Sequence, residues 1–210
     1  GSKSALSNVR VVLASQSPRR REILDLIGLE YEVIVSEFEE NLDKTQFQGD
    51  GGPARYAQTN AVCKAREVAQ RCSTQSSSSQ IFIGADTVVD LDGTILEKPK
   101  TTDEAKKMLR RLSGRRHLVH TGVGIFTSRN GMEEPAAEFH ETTEVIFGTL
   151  SDDEIEAYVA TGDPMDKAGS YGIQGIGGQF VDRIVGCYFN VMGFPMRRFS
   201  TSLFGLLDKV

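Results

Sequence analysis

Apolar residues along this chain fall into short runs and helical stripes that alternate, which is the pattern of an α/β protein. Residues 10–14 form an apolar run that predicts a buried strand, and Ser17-Pro18 predicts the cap and first turn of a helix that ends at Gly28. Residues 31–35 alternate like a second strand. Pro53 then predicts the start of a second helix, which has alanines along one side.

A central strand is predicted in the next part of the chain. Residues 81–85 are apolar enough to be buried on both faces, and Asp86 is expected where that strand ends. The turn signal at residues 90–93 predicts a hairpin that brings Glu97 and Lys98 back beside Asp86. The serine-rich stretch at residues 76–79, just before this strand, predicts a loop that packs little.

The rest of the chain predicts an antiparallel extension of the sheet with further helices. Two long strands, at residues 117–127 and 138–147, are expected around a hairpin at Asn130-Gly131, and a last strand at residues 179–185. Thr102 is predicted to cap one helix, Ser151 and Glu154 form a capping box that opens a second, and Pro195 is predicted to begin a third.

Composition limits the fold and its partners. The 210 residues are 39% hydrophobic, which fits a single domain or two tightly joined lobes, and we assign residues 1–8 to a tail or cloning remnant and residues 9–210 to one domain. A net charge of −5 argues against a protein that coats nucleic acid or anionic membranes. The three cysteines form no Cys-x-x-Cys pair, which favours a reducing compartment, and we expect a cytoplasmic protein.

Residues 166–175 combine glycines with Asp166, Lys167, Tyr171 and Gln174, and this mixture is typical of a loop that approaches a ligand. A surface loop with solvated charges explains the same composition equally well. We refer to residues 166–175 as the site loop.

Three consecutive arginines, Arg19, Arg20 and Arg21, fall in the first turn of the first predicted helix. Cations are unfavourable there because the helix N-terminus already carries partial positive charge. A bound anion would resolve the conflict, so the strand-to-helix turn is a candidate phosphate site. The alternative is that the arginines only make the helix surface soluble.

Acidic residues and lysines provide the other candidates. Asp86 is the best candidate for a catalytic carboxylate or metal ligand, although a turn aspartate is a common alternative. Glu40 and Glu97 could join it around a magnesium ion, which proteins hold through one or two carboxylates plus substrate oxygens. Lys64 could face inward and reach a phosphate, whereas a solvent-facing lysine is the ordinary expectation.

Several familiar sites are excluded. The chain has no Walker A sequence, no Gly-x-Ser-x-Gly elbow and no glycine-rich Rossmann turn. His117 and His120 should face opposite sides of one strand, and His140 lacks the partner of a His-Glu-x-x-His site, so all three are expected to be structural or superficial.

Five motifs together resemble the Maf family of nucleoside triphosphate pyrophosphatases over nearly the whole chain. They are Leu13-Ala14-Ser15-Gln16-Ser17-Pro18-Arg19-Arg20, Gly84-Ala85-Asp86-Thr87-Val88-Val89, Glu97-Lys98-Pro99, Leu112-Ser113-Gly114 with His117, and the site loop. The resemblance implies an α/β fold related to inosine triphosphatase-like enzymes, with a long mixed twisted sheet flanked by helices and two lobes around a deep cleft. It also implies a homodimer.

The same resemblance implies the roles of individual residues. Asp86 would be the proton acceptor, Glu40 and Asp86 would hold Mg²⁺ or Mn²⁺, and the remaining substrate-binding positions would be Ser15, Arg20, Lys64, Glu97 and Lys98. In the branch that acts on dTTP and UTP, base specificity is associated with the positions that are here Arg19, Thr87 and Gln174. A glutamine amide can pair with the N3–H and a carbonyl of thymine or uracil.

The implied reaction is hydrolysis of dTTP and UTP to the nucleoside monophosphate and pyrophosphate. Two alternatives stay open at this stage. One is a nucleotide-binding regulator of cell division or septum formation without essential catalysis. The other is a pyrophosphatase for 7-methyl-GTP or a broad range of modified nucleotides.

Overall fold

A mixed β-sheet with helices packed on it forms the frame of the protein in a computed structural model, which describes residues 9–72, 79–128 and 132–207. Its strands are β1 (Val9–Leu13), β2 (Glu32–Val33), β3 (Ser79–Leu91), β4 (Thr94–Leu96), β5 (Arg116–Thr127), β6 (Ala137–Phe147) and β7 (Val181–Val185). The α-helices are α1 (Pro18–Ile27), α2 (Gly52–Cys72), α3 (Thr102–Leu112), α4 (Asp152–Ala160), α5 (Tyr188–Met192) and α6 (Met196–Leu207).

The strand order is β2-β1-β3-β5-β6-β7, with β4 paired to β3 beside this path. β1 runs parallel to both β2 and β3, and the other pairings are antiparallel. Along one edge of β3, the pairing with β1 ends at Ile83, and the pairing with β4 starts at Val89, which lies opposite Leu96. Residues 84–88 therefore lie beside a gap between two strands, and this gap positions the site.

The two faces of the sheet are buried differently. On one face of β3, Ile83 belongs to a core with α1 and α6, while Val89 belongs to a second core with α3 and α4. Thr87 lies between these two cores on the same face. The opposite face, which carries Phe82, is covered by α2. The gap in the sheet thus separates two hydrophobic clusters at opposite ends of one strand.

Helix α2 lies unusually close to the sheet because glycines face it. A Cβ added at Gly84 of β3 would come 2.2 Å from the carbonyl oxygen of Ala61, and one at Gly122 of β5 would come 2.4 Å from that of Ala57. Since no side chain other than hydrogen fits there, these positions hold the helix backbone against the strands. The side chains of α2 that point at the sheet therefore reach Asp86, which pairs with Gly122.

The predicted fold class is confirmed, with some differences in detail. β3 continues to Leu91, so Asp86 is inside the strand and not at its end, because β5 still pairs with it after β1 has stopped. β2 has only two residues, and the cap of α3 is Thr101 instead of Thr102. Ser17 occupies the N-cap position of α1 without a side-chain capping bond.

Other expectations concern the end of the chain and the segments between elements. The last strand starts at Val181, because residues 176–180 form a 3₁₀ turn, and α5 was not expected from the sequence. Ser79 and Gln80 belong to β3. The predicted hairpin at Asn130-Gly131, the tail at residues 1–8 and most of the serine-rich loop lie outside the described residues. Within the described ranges, no helix has the length and apolar character needed to cross a membrane.

Candidate active site

A cavity of about 580 Å³ opens at the gap between β1 and β4. Its walls come from the turn between β1 and α1, the exposed edge of β3, the segment after β2 and the site loop. All ten residues singled out from the sequence as site candidates line it: Ser15, Arg19, Arg20, Glu40, Lys64, Asp86, Thr87, Glu97, Lys98 and Gln174. The structure thus brings all of them to one place.

Arg20 is held by three hydrogen bonds inside the cavity wall. Its two terminal nitrogens donate to Ser15 Oγ at 2.9 Å and Thr87 Oγ1 at 3.1 Å, and its Nε donates to the Gly193 carbonyl oxygen at 3.0 Å. Burial lowers the pKa of this guanidinium, while the nearby Asp86 carboxylate opposes the shift. An arginine stays charged in proteins, so the site contains a fixed cation at the start of α1.

The other two arginines behave differently. Arg19 also lines the cavity, and it reaches the site loop, where its guanidinium donates to Asp166 Oδ2 at 3.4 Å. Arg21 is exposed. The predicted grouping of cations around a ligand therefore applies to Arg19 and Arg20, and the alternative of a solubilising arginine describes Arg21.

Lys64 joins the two acidic candidates. Its Nζ lies 2.7 Å from Asp86 Oδ1 and 2.9 Å from Glu40 Oε2, and Asn60 donates to the second oxygen of Asp86 at 3.3 Å. Lys64 and Asp86 are buried, at 9% and 8% exposure, whereas Glu40 is more open. Lys64 thus faces inward, contrary to the ordinary expectation of a solvent-facing lysine, and it contacts a carboxylate pair.

The pKa values of the two carboxylates, Asp86 and Glu40, are shifted in opposite directions. Burial, reinforced by the charge of Glu40 and only partly opposed by Lys64, raises the pKa of Asp86 above its ordinary value. Burial also acts to raise the pKa of Glu40, but Lys64 and Lys98 outweigh it and the net shift is downward. A buried carboxyl with a raised pKa is a stronger proton acceptor than an ordinary aspartate, so Asp86 is suited to act as a base.

The donor set around Lys64 fits a divalent cation. Two carboxylate oxygens converge on the single cationic nitrogen of Lys64, which marks a point where positive charge is stabilised. Among the described residues, no group of three or more His, Cys, Asp or Glu side chains is placed to hold a metal. Glu40 and Asp86 supply two carboxylates, and proteins hold magnesium through one or two carboxylates completed by phosphate oxygens.

Glu97 lies on the same cavity but is held from outside it. Tyr56 donates a hydrogen bond to Glu97 Oε1 at 2.8 Å, and Lys44 forms an ion pair with the other oxygen. Neither Lys44 nor Tyr56 was expected from the sequence. Lys98, the next residue, contributes its charge to the field at Glu40.

Sequence reasoning also missed Asn60, although a signal was available. Tyr56, Asn60 and Lys64 recur every four residues, so they form one stripe of α2, and all three are buried. A stripe of polar groups on a buried helix face indicates partners across the interface. Those partners are Glu97 and Asp86, the acidic side chains of the cavity.

The site loop is folded around Lys167. Its Nζ bonds the Asp163 carbonyl oxygen at 2.6 Å and the Asp166 carboxylate at 2.7 Å. Tyr171 is buried and its hydroxyl lies 2.8 Å from His117 Nε2. These contacts hold the backbone of the loop in place and leave Gln174 on the cavity wall, where its Nε2 donates to Glu22 at 2.6 Å.

Each of the three histidines has contacts that belong to the fold. His117 packs against Phe147 and Tyr171 on one face of β5, while His120 bonds Asp90 and Thr142 at the other. His140 bonds Gln58 of α2. All three have structural contacts.

In this α/β fold, a fixed arginine lies near a buried carboxylate whose pKa is raised. Such a site is suited to bind an anion and to accept a proton. The chain belongs to the family described as Maf-like protein, whose model matches residues 10–206, and this confirms the resemblance noted above. It is 43% identical over 194 residues to the dTTP/UTP pyrophosphatase of Bacillus mycoides (strain KBAB4), covering 92% of this chain and 94% of that protein. It is 44% identical over 195 residues to the dTTP/UTP pyrophosphatase of Clostridium perfringens (strain SM101 / Type A), covering 93% and 96%.

A human relative is longer. The chain is 46% identical over 202 residues to the probable bifunctional dTTP/UTP pyrophosphatase/methyltransferase protein of Homo sapiens. The matched region covers 94% of this chain but only 32% of the human protein. Among solved structures, a HAM1 protein from Coxiella burnetii covers 94% of this chain and 99% of its own, with a TM-score of 0.48 and 18% identity.

Proposed function

We propose that this protein hydrolyses nucleoside triphosphates, with dTTP and UTP as its preferred substrates, to the nucleoside monophosphate and pyrophosphate. The observation that carries the proposal is that Arg20 and Asp86 line the same cavity, with the guanidinium fixed by Ser15 and Thr87 and the carboxylate by Lys64. The bacterial relatives named dTTP/UTP pyrophosphatases support the choice of substrate.

The cations bind the polyphosphate. Arg20 presents a guanidinium whose position is already fixed before substrate arrives, so little ordering cost is incurred on binding. Arg19, Lys64 and Lys98 add positive charge around the same space. Because the Lys64 side chain and the Arg20 guanidinium are buried, their charges act on the phosphates with less screening than they would at an open surface.

Asp86 accepts the proton from the attacking water. The water oxygen forms a bond to the α-phosphorus on the side opposite the leaving group, and the bond from that phosphorus to the bridging oxygen breaks. The electron pair leaves with pyrophosphate, whose new charge is stabilised by arginine and lysine. Asn60 keeps the Asp86 carboxylate oriented during the transfer.

A divalent cation, Mg²⁺ or Mn²⁺, is part of the proposal, with Glu40 and Asp86 as the residues that would hold it. When bound, it supplies positive charge that offsets the charge of the triphosphate. Lys64, which now bridges the two carboxylates, would then be free to bind a phosphate oxygen. Glu97 stays in place through Tyr56 and Lys44.

A pyrophosphate-release assay tests the proposal. UTP, dTTP, CTP and 7-methyl-GTP are supplied separately, each with Mg²⁺, with Mn²⁺ and with chelator. We expect metal-dependent release that is fastest with UTP and dTTP. Release of orthophosphate instead of pyrophosphate, or the fastest turnover with 7-methyl-GTP, would overturn the proposed reaction or its specificity, respectively. Nucleotide binding without any release would favour a regulatory role.

A further inference from the structure

The side-chain amide of Gln174 is hydrogen-bonded to a residue that does not line the cavity. Gln174 itself lines the cavity, and its Nε2 donates a 2.6 Å hydrogen bond to Glu22 Oε1 of α1. Glu22 is exposed and is not among the residues that line the cavity, and its carboxylate has no role in the proposed reaction.

A glutamine amide alone cannot distinguish uracil from cytosine. Its oxygen and its NH₂ group are nearly equal in shape, and a half-turn of the amide exchanges the acceptor and the donor. In one orientation the amide matches the N3–H and C4 carbonyl of uracil or thymine. In the other orientation it matches the N3 acceptor and the amino group of cytosine. Discrimination therefore requires a second group that prevents the half-turn.

Glu22 provides that constraint. An ionised carboxylate only accepts hydrogen bonds, so the NH₂ end of Gln174 must face it. The half-turned amide would instead place its oxygen against two carboxylate oxygens, losing a charge-assisted hydrogen bond and adding repulsion. Glu22 engages the NH₂ group of Gln174 through one N–H. The amide oxygen and the second N–H remain for a base, and we call them the free edge of the amide.

The fixed loop backbone completes the arrangement. Tyr171, three residues before Gln174, is buried and tied to His117, so the loop cannot move to compensate for a reversed amide. The free edge of Gln174 then presents one acceptor and one donor in a fixed order. That order is complementary to a ring imide, in which N–H lies beside C=O.

We infer that Glu22 is a specificity-determining positioning residue, which locks the amide of Gln174 so that the site accepts uracil and thymine and rejects cytosine. The inference rests on the proposed function, because it assumes that a nucleotide base reaches Gln174. It extends that function to a residue outside the cavity wall. The same constraint excludes any base whose pairing edge has an unprotonated ring nitrogen beside an amino group.

The test uses binding, so that it does not depend on turnover. Dissociation constants are measured by calorimetry for the α,β-methylene analogues of UTP and CTP with the full chain, Glu22→Gln and Glu30→Gln. A glutamine at position 22 can donate as well as accept, and so permits both orientations of Gln174. Glu30 is an exposed glutamate after α1, and its variant loses the same charge as a matched control.

We expect the unmodified protein and Glu30→Gln to prefer the UTP analogue, and Glu22→Gln to lose about tenfold of that preference, mainly by binding the CTP analogue more tightly. Glu22→Gln with an unchanged preference overturns the inference. Equal binding of both analogues by the unmodified protein also overturns it. Failure of the proposed reaction is seen separately, as absence of pyrophosphate release from UTP while the binding preference and its dependence on Glu22 persist.

Discussion

Gly84 of β3 and Ala61 of α2 approach each other so closely that a Cβ on the glycine would lie 2.2 Å from the alanine carbonyl oxygen. This contact sets the depth at which α2 rests on the sheet, and therefore the distance from Lys64 to Asp86. The catalytic geometry depends on a position that has no side chain of its own.

Gly84→Ala is expected to destabilise the protein by about 1–3 kcal/mol, because the helix must shift to admit the methyl group. Pyrophosphate release should fall further than stability alone explains, since Lys64 and Asn60 move with the helix. Urea unfolding and steady-state kinetics at a temperature where the variant remains folded measure the two effects.

Gly205→Ala is the matched control. Gly205 lies in α6, and a Cβ added there meets no atom within 4 Å. Alanine in a helix is favoured over glycine, so this variant should gain about 0.5–1 kcal/mol of stability with unchanged activity. If Gly84→Ala behaved like this control, close packing of α2 would not be required for the site.

Asp86→Asn is expected to fold and to lose at least about a hundredfold in kcat, because an amide cannot accept the proton from water. Stopped-assay pyrophosphate release and a urea unfolding curve measure both properties. Asp153→Asn, at an exposed position in the first turn of α4, removes an equal charge away from the cavity and should retain normal turnover. Turnover by Asp86→Asn at the unmodified rate would eliminate Asp86 as the base.

The pH dependence follows from the pKa of Asp86. A base must be deprotonated, so kcat/KM falls as pH drops through its pKa, and burial places this acidic limb above the ordinary aspartate value of 3.8. Lys64 opposes the upward shift of this pKa. In Lys64→Gln the acidic limb should therefore move to still higher pH, in addition to any loss of rate. A limb that moved to lower pH would contradict this assignment.

Much of the fold was predictable because its signals are local. A few adjacent residues are enough to predict the helix that begins at Pro18 and the capping box at Ser151, and both are present in the structure. The position of Asp86 within β3 was not predictable from its own neighbours, since the strand continues only because β5 pairs beside it. The strand partners of this part of β3 run from Leu118, opposite Asp90, to Thr121, opposite Thr87, and are therefore distant in sequence.

Some residues of the site could likewise be predicted from local sequence signals, and others could not. The residues on the cavity wall were found from motifs, including Arg20 and Gln174. Lys44 and Glu22 were not, because each matters only through a partner distant in sequence, Glu97 and Gln174 respectively. Such contacts form when loops and helices pack together in the folded chain, so the residue pattern within a single segment does not predict them.

Arg20→Lys is expected to raise KM for UTP about tenfold or more, because an ammonium cannot reproduce the three-way fork to Ser15, Thr87 and the Gly193 carbonyl. Arg21→Lys is the natural control, since Arg21 is the adjacent but exposed arginine, and its kinetics should match those of the unmodified protein. Equal kinetics for both variants would show that charge alone, without the fork, is sufficient at position 20.

His117 makes the fold sensitive to acid. Burial lowers its pKa from 6.5 to about 4, and the ring is only 2% exposed. Between these values the unfolded chain binds a proton that the folded chain does not, so stability falls as pH drops from about 6.5 to about 4, by about 3 kcal/mol in total. In His117→Gln we expect lower stability near pH 7, from lost packing with Tyr171 and Phe147, but a smaller further loss between pH 7 and pH 5. Urea midpoints at the two pH values measure the difference, with the more exposed His140→Gln as the comparison, and an undiminished acid loss in His117→Gln would assign the effect to another group.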